Sequence, residues 1–313
     1  MNLSNTIFIL GSGAIGLPLA AYLTNAGRTV VAVRTSKHDV PKSTISVTVQ
    51  SGANRISALI ECISLDKLVK FTGILVIATK SYTNRAIALA LKEKGATGPL
   101  IIMQNGVGIE KPFLDTGFTS ISRCVLYVTS EAGAEYNFTF RPIAPSPIGM
   151  VHGSESGLRE CVELLTTDGF PFRAEADIKR EIWRKAIINS VFNSICPLLE
   201  VDNGVFARDE ETASLARQLV RECLMVTNRL NIGLSETDVM QHIMRISKGS
   251  NQLISTLQDI RRGRETEIEF LNLEIVRVAA SLQPQVHLPG IELLGKMILA
   301  KSLQQRRRRQ QDV

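Results

Sequence analysis

The sequence predicts two domains: an α/β, Rossmann-type dinucleotide-binding domain, then an all-α domain. Three observations predict this. Up to about residue 175, short apolar strand-like runs alternate with stretches of helical periodicity. A G-x-G-x-x-G turn stands between the first strand-like run and the first helical one. From Ile178 to Gln305 nearly every segment has a helical period, and strand signals stop. The expected domains are 1–175 and 176–313, with the boundary inside Phe172-Arg173-Ala174-Glu175-Ala176-Asp177.

In chain order, Ile7–Leu10 is a short buried strand, and Ala14–Asn25 is a helix through Ile15, Leu19 and Leu23, stopped by Gly27. Thr29–Val33 is a second, β-branched strand. Segments 44–49 and 55–61 form a strand pair across Ser51-Gly52. Ile74–Ala78 and Leu100–Met103 are buried strands flanking a helix at 81–93. Cys124–Thr129, Tyr136–Phe140 and Ser146–Met150 read as strands, and 155–166 as a helix. The second half reads as helices at 178–196, 209–230, 235–260, 265–282 and 290–305.

Composition narrows the class. The chain has 313 residues, 44% hydrophobic and 21% charged, enough for two buried cores and too apolar for disorder. No run approaches the ~18–20 consecutive apolar residues of a membrane helix, and the N-terminus carries no basic segment ahead of an apolar one. The expectation is no membrane association and no signal peptide. Five scattered cysteines (Cys62, Cys124, Cys161, Cys196, Cys223) exclude a disulfide framework and a zinc ribbon, and suit a reducing cytoplasm. The four histidines (His38, His152, His242, His287) have no ligand spacing, so no metal is expected. Most of the formal +6 charge comes from the C-terminal segment, where Lys301 and Arg306–Arg309 face only Asp312. Such a run can meet RNA or an acidic surface, or be the solvated end of the last helix. No aromatic residues interleave with it, so no nucleic-acid partner is expected.

Gly11-Ser12-Gly13-Ala14-Ile15-Gly16 carries the clearest chemistry. The first glycine permits a tight turn, the second admits a pyrophosphate to the backbone, and the third lets helix and strand pack closely. The free N–H groups of the following helix add partial positive charge. Arg34 ends the second strand, 18 residues after Gly16, where an NAD-binding chain usually has an acid. A guanidinium there fits a 2′-phosphate, with Lys37 able to assist, so NADP(H) is the expected cofactor; a solvated strand end is the other reading. On the first helix of the second half, Lys185, Asn189 and Asn193 lie four residues apart and form one polar stripe among Ile187, Ile188, Val191 and Phe192. Buried amides need partners, and either a polar ligand or a neighbouring helix can supply them.

Taken together, Gly11–Gly16, Thr79-Lys80, Gln104-Asn105-Gly106-Val107-Gly108, Trp183-Arg184-Lys185 with Asn189 and Asn193, Asn203-Gly204, Leu257–Ile260 and Thr266-Glu267-Ile268 resemble the ketopantoate reductase (2-dehydropantoate 2-reductase) family, in its order and spacing from residue 7 to about 290. The resemblance implies a Rossmann-type domain followed by a helical domain of the 6-phosphogluconate dehydrogenase C-terminal type. It implies NADPH-dependent reduction of 2-dehydropantoate to (R)-pantoate in pantothenate biosynthesis. Under it, Lys185 is the general acid and Glu267 an active-site carboxylate. Asn105, Lys185, Asn189, Asn193, Asn203 and Ser255 contact substrate; Lys80, Asn105 and Glu267 contact the cofactor, with Gly11–Gly16 and with Arg34, which local chemistry alone assigns. Two other readings stay open: a reductase of another 2-keto acid, and an NADPH-binding sensor without catalysis, against which this set of polar residues argues. Helical domains often support a homodimer, and the sequence leaves oligomeric state open.

Overall fold

The structure is a computed structural model that describes residues 6–36, 38–39, 41–69 and 71–311. Lys37 therefore lies outside the described residues. The chain divides into two units: one runs to Ile178 except for Asn105–Gly108, and the other joins those four residues to Lys179 onward.

In the first unit, β1 (Thr6–Leu10), α1 (Gly16–Asn25), β2 (Thr29–Arg34), β3 (Ser43–Ser51), β4 (Asn54–Ser64) and β5 (Ile74–Ile77) are followed by α2 (Asn84–Glu93), β6 (Leu100–Ile102), α3 (Lys111–Asp115) and β7 (Ile121–Cys124). Then come β8 (Val128–Ala132), β9 (Asn137–Pro142), β10 (Ser146–His152), α4 (Leu158–Leu165) and β11 (Phe172–Ala174). One sheet has the order β11-β10-β7-β6-β5-β1-β2-β4-β3-β9-β8. Its centre, β4-β2-β1-β5-β6-β7, is parallel throughout, the doubly wound order in which strand order reverses beside β1. The central strands are apolar and buried on both faces, as strands covered on both sides must be.

α1 buries seven of its ten residues, so apolar packing rather than charge holds it. Tyr22 on α1 packs against Phe140 of β9 at 5.5 Å, Phe140 against Phe170 at 4.7 Å, and Phe170 stacks on Phe172 of β11 at 4.9 Å. This aromatic cluster ties α1 to the β8–β9 hairpin. Ser130 of β8 then donates to the carbonyl of Ala14, inside the glycine turn.

The second unit contains α5 (Ile178–Leu199), α6 (Val205–Arg208), α7 (Glu210–Arg229), α8 (Glu236–Gly249), α9 (Ser255–Arg261), α10 (Asn272–Ser281) and α11 (Pro289–Gln311). Asp209 caps α7 through the Thr212 N–H, and Ser235 caps α8 through the Asp238 N–H. α5 is its central element: Ile187, Val191, Phe192 and Cys196 are buried among side chains of α6, α7 and α10, with Phe192 edge-on to Phe206 at 4.7 Å.

Several expectations need correction. The strand expected at 124–129 is two strands, β7 and β8, far apart in the sheet. The chain turns between them, where the Tyr127 N–H donates to Ser146 Oγ and its carbonyl accepts from the Ile143 N–H. The helix expected at 235–260 breaks after Gly249, because residues 250–254 leave the helix and the Gln252 carbonyl accepts from the Asn203 N–H. The helix expected at 265–282 is a 3₁₀ turn, Ile268–Phe270, then α10. The first helix starts at Gly16 rather than Ala14, and the last runs to Gln311 rather than 305.

Candidate active site

In the first unit the glycine turn is shaped by close approach of backbone. Gly11 has φ +117°, and a Cβ there would stand 2.7 Å from the Ala78 carbonyl carbon and the Thr79 nitrogen. A Cβ on Gly16 would stand 1.8 Å from the Gly11 carbonyl oxygen. Only Gly13, half-way round the turn and exposed, has nothing within 4 Å of its missing Cβ. Two glycines are thus required by the protein itself, and the third leaves a bare backbone cradle of the kind a pyrophosphate occupies. The turn is fixed by Gly11 N–H to the Val33 carbonyl at 3.0 Å, and Ala78 N–H to the Leu10 carbonyl at 2.8 Å. Ser12, Ala14 and Ile15 complete it, partly buried.

Arg34 is half-buried at the end of β2, next to β1. Its Nη2 donates to the Tyr136 hydroxyl at 3.0 Å, and its guanidinium carbon lies 6.0 Å from that ring's centre. The hydroxyl orients the fork while most of its donors stay available. No carboxylate of the described residues pairs with it at ion-pair distance.

Lys80 follows β5, and Asn105 follows the strand end of β6. A buried network fixes both starting points. The Gln104 and Asn84 side chains form a reciprocal amide pair at 2.8 and 2.7 Å, and Gln104 Nε2 also donates to Thr79 Oγ1 at 3.0 Å. Arg123 Nη2 donates to the Gln104 carbonyl at 3.4 Å and Nη1 pairs with Glu110 at 2.7 Å. Burial pulls the Arg123 guanidinium below its ordinary range, and the Glu110 carboxylate opposes that shift. The sequence reading missed Asn84, Arg123 and Glu110. Their signal was weak, since each is an ordinary polar residue whose partner lies 13 or more positions away.

In the second unit, α5 presents Lys185 and Asn189 half-buried and Asn193 buried. Ser190 and Ser194 bond back to carbonyls of their own helix. Asn193 Nδ2 does the same, to the Asn189 carbonyl at 2.9 Å, but its Oδ1 is buried with no hydrogen-bond partner. Asn203 Oδ1 is in the same condition. Asn272, at the start of α10 and fully buried, gives Nδ2 to the Ser190 carbonyl at 3.3 Å and likewise leaves Oδ1 unmatched. A neighbouring helix thus engages α5 through Asn272, at the Ser190 carbonyl, while the Oδ1 atoms of Asn193, Asn203 and Asn272 have no protein donor. Asn272 was missed by the sequence reading, although it stands five residues after Glu267.

Backbone contacts bring the remaining residues into pairs. The Val107 N–H donates to the Phe270 carbonyl at 3.1 Å, and the Phe270 N–H to the Glu267 carbonyl at 3.0 Å, so the Asn105 loop and the Glu267 turn adjoin. The Asn203–Gln252 bond brings Asn203 beside the segment entering α9, which Ser255 opens, exposed. Gly263 (φ +65°) ends α9, and the Arg264 N–H returns to the Asp259 carbonyl, turning the chain toward Glu267. Along α5 the Asn193 Nδ2 bond to the Asn189 carbonyl links two of the sequence-predicted residues.

Burial pushes the Cys161 thiol up to about 11 and Cys196 up to about 12, and raises Cys62 and Cys223, so these cysteines pack as small apolar groups rather than nucleophiles. Among the described residues no cluster of three His, Cys, Asp or Glu could hold a metal, and no helix is long and apolar enough to cross a membrane.

Two family models match the chain: "Ketopantoate reductase PanE/ApbA" over residues 7–140 and its C-terminal counterpart over 177–302. The chain belongs to the ketopantoate reductase family. Among curated relatives in the family, the 2-dehydropantoate 2-reductase of Archaeoglobus fulgidus is 29% identical over 276 residues, covering 86% of this chain and 89% of its own. That of Pyrococcus abyssi is 25% identical over 282 residues, covering 88% and 91%. The crystal structure of 2-dehydropantoate 2-reductase from Geobacter metallireducens shares the fold, with a TM-score of 0.82 over 94% of this chain and 99% of that one, at 19% identity. The family models span both units and leave out Arg306–Arg309.

Proposed function

We propose that this protein reduces 2-dehydropantoate to (R)-pantoate with NADPH. The observation that carries the reading is a whole-chain likeness to 2-dehydropantoate 2-reductases in which the bare glycine cradle and the unmatched amide oxygens fall on the matched segments. A nicotinamide dinucleotide fits the first unit: Gly13 leaves room for the pyrophosphate, and Arg34 ends the strand next to β1, where a ribose 2′-substituent is read. When bound, NADPH supplies the hydride for the C2 ketone.

The chain's own residues have these roles in the proposal. Gly11–Gly16 hold the pyrophosphate by backbone N–H groups, with Lys80 and Asn105 contacting the cofactor from neighbouring strand ends. Arg34, oriented by Tyr136, selects the 2′-phosphate. Lys185 binds the substrate's ketone oxygen through its ammonium and donates the proton as negative charge develops there. Asn189, Asn193, Asn203, Ser255 and Asn105 bond the substrate's carboxylate and hydroxyl. The amide oxygens of Asn193 and Asn203 are buried acceptors without protein donors, a cost that a bound water or a ligand hydroxyl would relieve. Glu267 keeps the lysine charged and accepts from a hydroxyl. Asn272 positions the start of α10 against α5.

The test is product identification. Incubating the protein with 2-dehydropantoate and NADPH should give pantoate of R configuration, resolved by chiral chromatography. No pantoate from 2-dehydropantoate, together with NADPH-dependent reduction of a different 2-keto acid supplied in its place, would mean that acid is the substrate.

A further inference from the structure

A concentration of positive charge lies where α9 and α11 end. Arg261 closes α9, Arg262 and Arg264 flank the Gly263 turn, and α11 carries Arg306–Arg309 near its end. The two stretches are in contact: Arg309 Nη2 donates to the Arg261 carbonyl at 2.6 Å, and Arg309 Cδ lies 2.6 Å from where a Gly263 Cβ would be. Among the described residues two of the cations here have carboxylate partners at ion-pair distance: Lys301 with Glu200 at 2.8 Å and Arg306 with Glu265 at 3.7 Å. Arg261, Arg262, Arg264, Arg307, Arg308 and Arg309 are exposed and have no ion pair among the described residues. The carbonyl ends of two helices favour cations, but that effect fades within the last turn, and Arg264 stands beyond α9 altogether.

Within this region is a cavity of about 280 Å³, lined by Glu200, Arg261, Lys301, Gln304, Gln305 and Arg308 together with apolar side chains of α9. The Lys301 ammonium is already held by Glu200 and by the Pro197 carbonyl at 2.7 Å. That leaves Arg308 and Arg261 with no ion pair at contact distance, Arg261 feeling the Glu200 carboxylate only at longer range, and two amides as neutral donors. Guanidinium forks match phosphate oxygens two at a time. The volume lies just below the range of ordinary drug-sized pockets, suiting a small anion. The family match ends at residue 302, so Gln304, Gln305 and Arg308 belong to a part of the chain the family model does not describe.

We propose that the cavity between the ends of α9 and α11 is a second anion site, which binds a short oligophosphate, free or as the phosphate chain of a nucleotide, apart from the glycine turn. The inference does not depend on the reductase reading. The chemistry is non-covalent: Arg261 and Arg308 grip adjacent phosphate groups, and Gln304 and Gln305 donate to the remaining oxygens.

Calorimetric titration of the full chain with sodium tripolyphosphate tests it. Saturable binding is expected. Arg308→Gln should weaken it about tenfold or more, the loss of one charge-assisted contact, and Arg261→Gln with Arg308→Gln should weaken it further. Both side chains are exposed, so the variants should keep the far-ultraviolet circular dichroism of the parent. Gly13→Val should leave tripolyphosphate binding unchanged, because it alters only the other phosphate cradle. Binding of ATP as tight as that of tripolyphosphate would support the site and assign it to a nucleotide's phosphate chain; tighter tripolyphosphate binding would support it and assign it to the free ion. Three results would overturn the proposal: no saturable binding by the wild type, undiminished binding by the double variant, or loss of binding in Gly13→Val. Binding of an RNA oligomer with none of tripolyphosphate would also overturn it, since that would make the region a polyanion surface rather than a small-anion cavity.

Discussion

The two units build their candidate sites from different material. In the α/β unit the nucleotide cradle is backbone: six consecutive residues, two of whose glycines are required by contacts of 1.8 and 2.7 Å, and one by nothing in the protein. In the helical unit the candidate substrate contacts are side chains from four separate segments, and two of them, Asn193 and Asn203, have buried Oδ1 atoms without a donor. A backbone site is compressed in sequence and intolerant of added atoms. A side-chain site is dispersed, its members drawn from segments far apart in the chain. The comparison can be broken by substitutions that move one property without the other.

The largest expected effect is on chemistry in the helical unit. Lys185→Ala should lower kcat about 10²–10⁴-fold, the usual loss for a general acid. NADPH affinity, followed by fluorescence titration, should be nearly unchanged, since the cradle is in the other unit. Turnover within a few-fold of wild type would remove Lys185 from the proton-transfer role.

Next come the glycines, where two neighbours in one turn should behave differently. Gly16→Ala forces a Cβ into the Gly11 carbonyl, so it should destabilise the α/β unit by about 1–3 kcal/mol or more, measured by thermal melting. Gly13→Val meets no protein atom, so the melting temperature should hold while NADPH binding falls sharply. If Gly13→Val binds NADPH as the parent does, the turn is only structural.

Arg34→Ala should cost about 1.5–3 kcal/mol of NADPH affinity, about ten- to a hundred-fold, and little NADH affinity. The preference between the two nucleotides should narrow accordingly. Equal affinities in the wild type would assign Arg34 to Tyr136 alone.

Effects of the same size, confined to substrate, belong to single substrate contacts. Ser255→Ala and Asn193→Ala should each lower kcat/KM by about 1.5–3 kcal/mol, chiefly through KM, with NADPH affinity retained. Parallel loss of NADPH binding would show that these side chains support the fold or the cofactor instead.

The same contrast explains how much could be read from the sequence. Gly11–Gly16 is legible because every requirement falls within one strand–turn–helix, and the parallel strands around it are short runs of buried Ile, Leu and Val. The strand pair β7 and β8 was read as one because Val125-Leu126-Tyr127 is apolar and has no Gly or Pro to mark the turn; the turn is made by Ser146 and Ile143, which lie downstream. The break between α8 and α9 was hidden because its reason, the Asn203–Gln252 bond, joins residues 49 positions apart. For the site, Lys185, Asn189 and Asn193 stand out as a stripe, but nothing local shows that Asn193 lacks a donor or that Asn272 meets Ser190. Those facts exist only after the helices pack. The Gln104–Asn84 pair that launches the Asn105 loop was invisible for the same reason.

The central claim is that a backbone cradle for NADPH and a side-chain site for 2-dehydropantoate serve one reaction. The most direct measurement is the steady-state loss of NADPH absorbance with 2-dehydropantoate, run beside other 2-keto acids and with NADH in place of NADPH. The predicted result is turnover with kcat/KM highest for 2-dehydropantoate and NADPH together. No turnover of 2-dehydropantoate, in a preparation that binds NADPH normally, would contradict it.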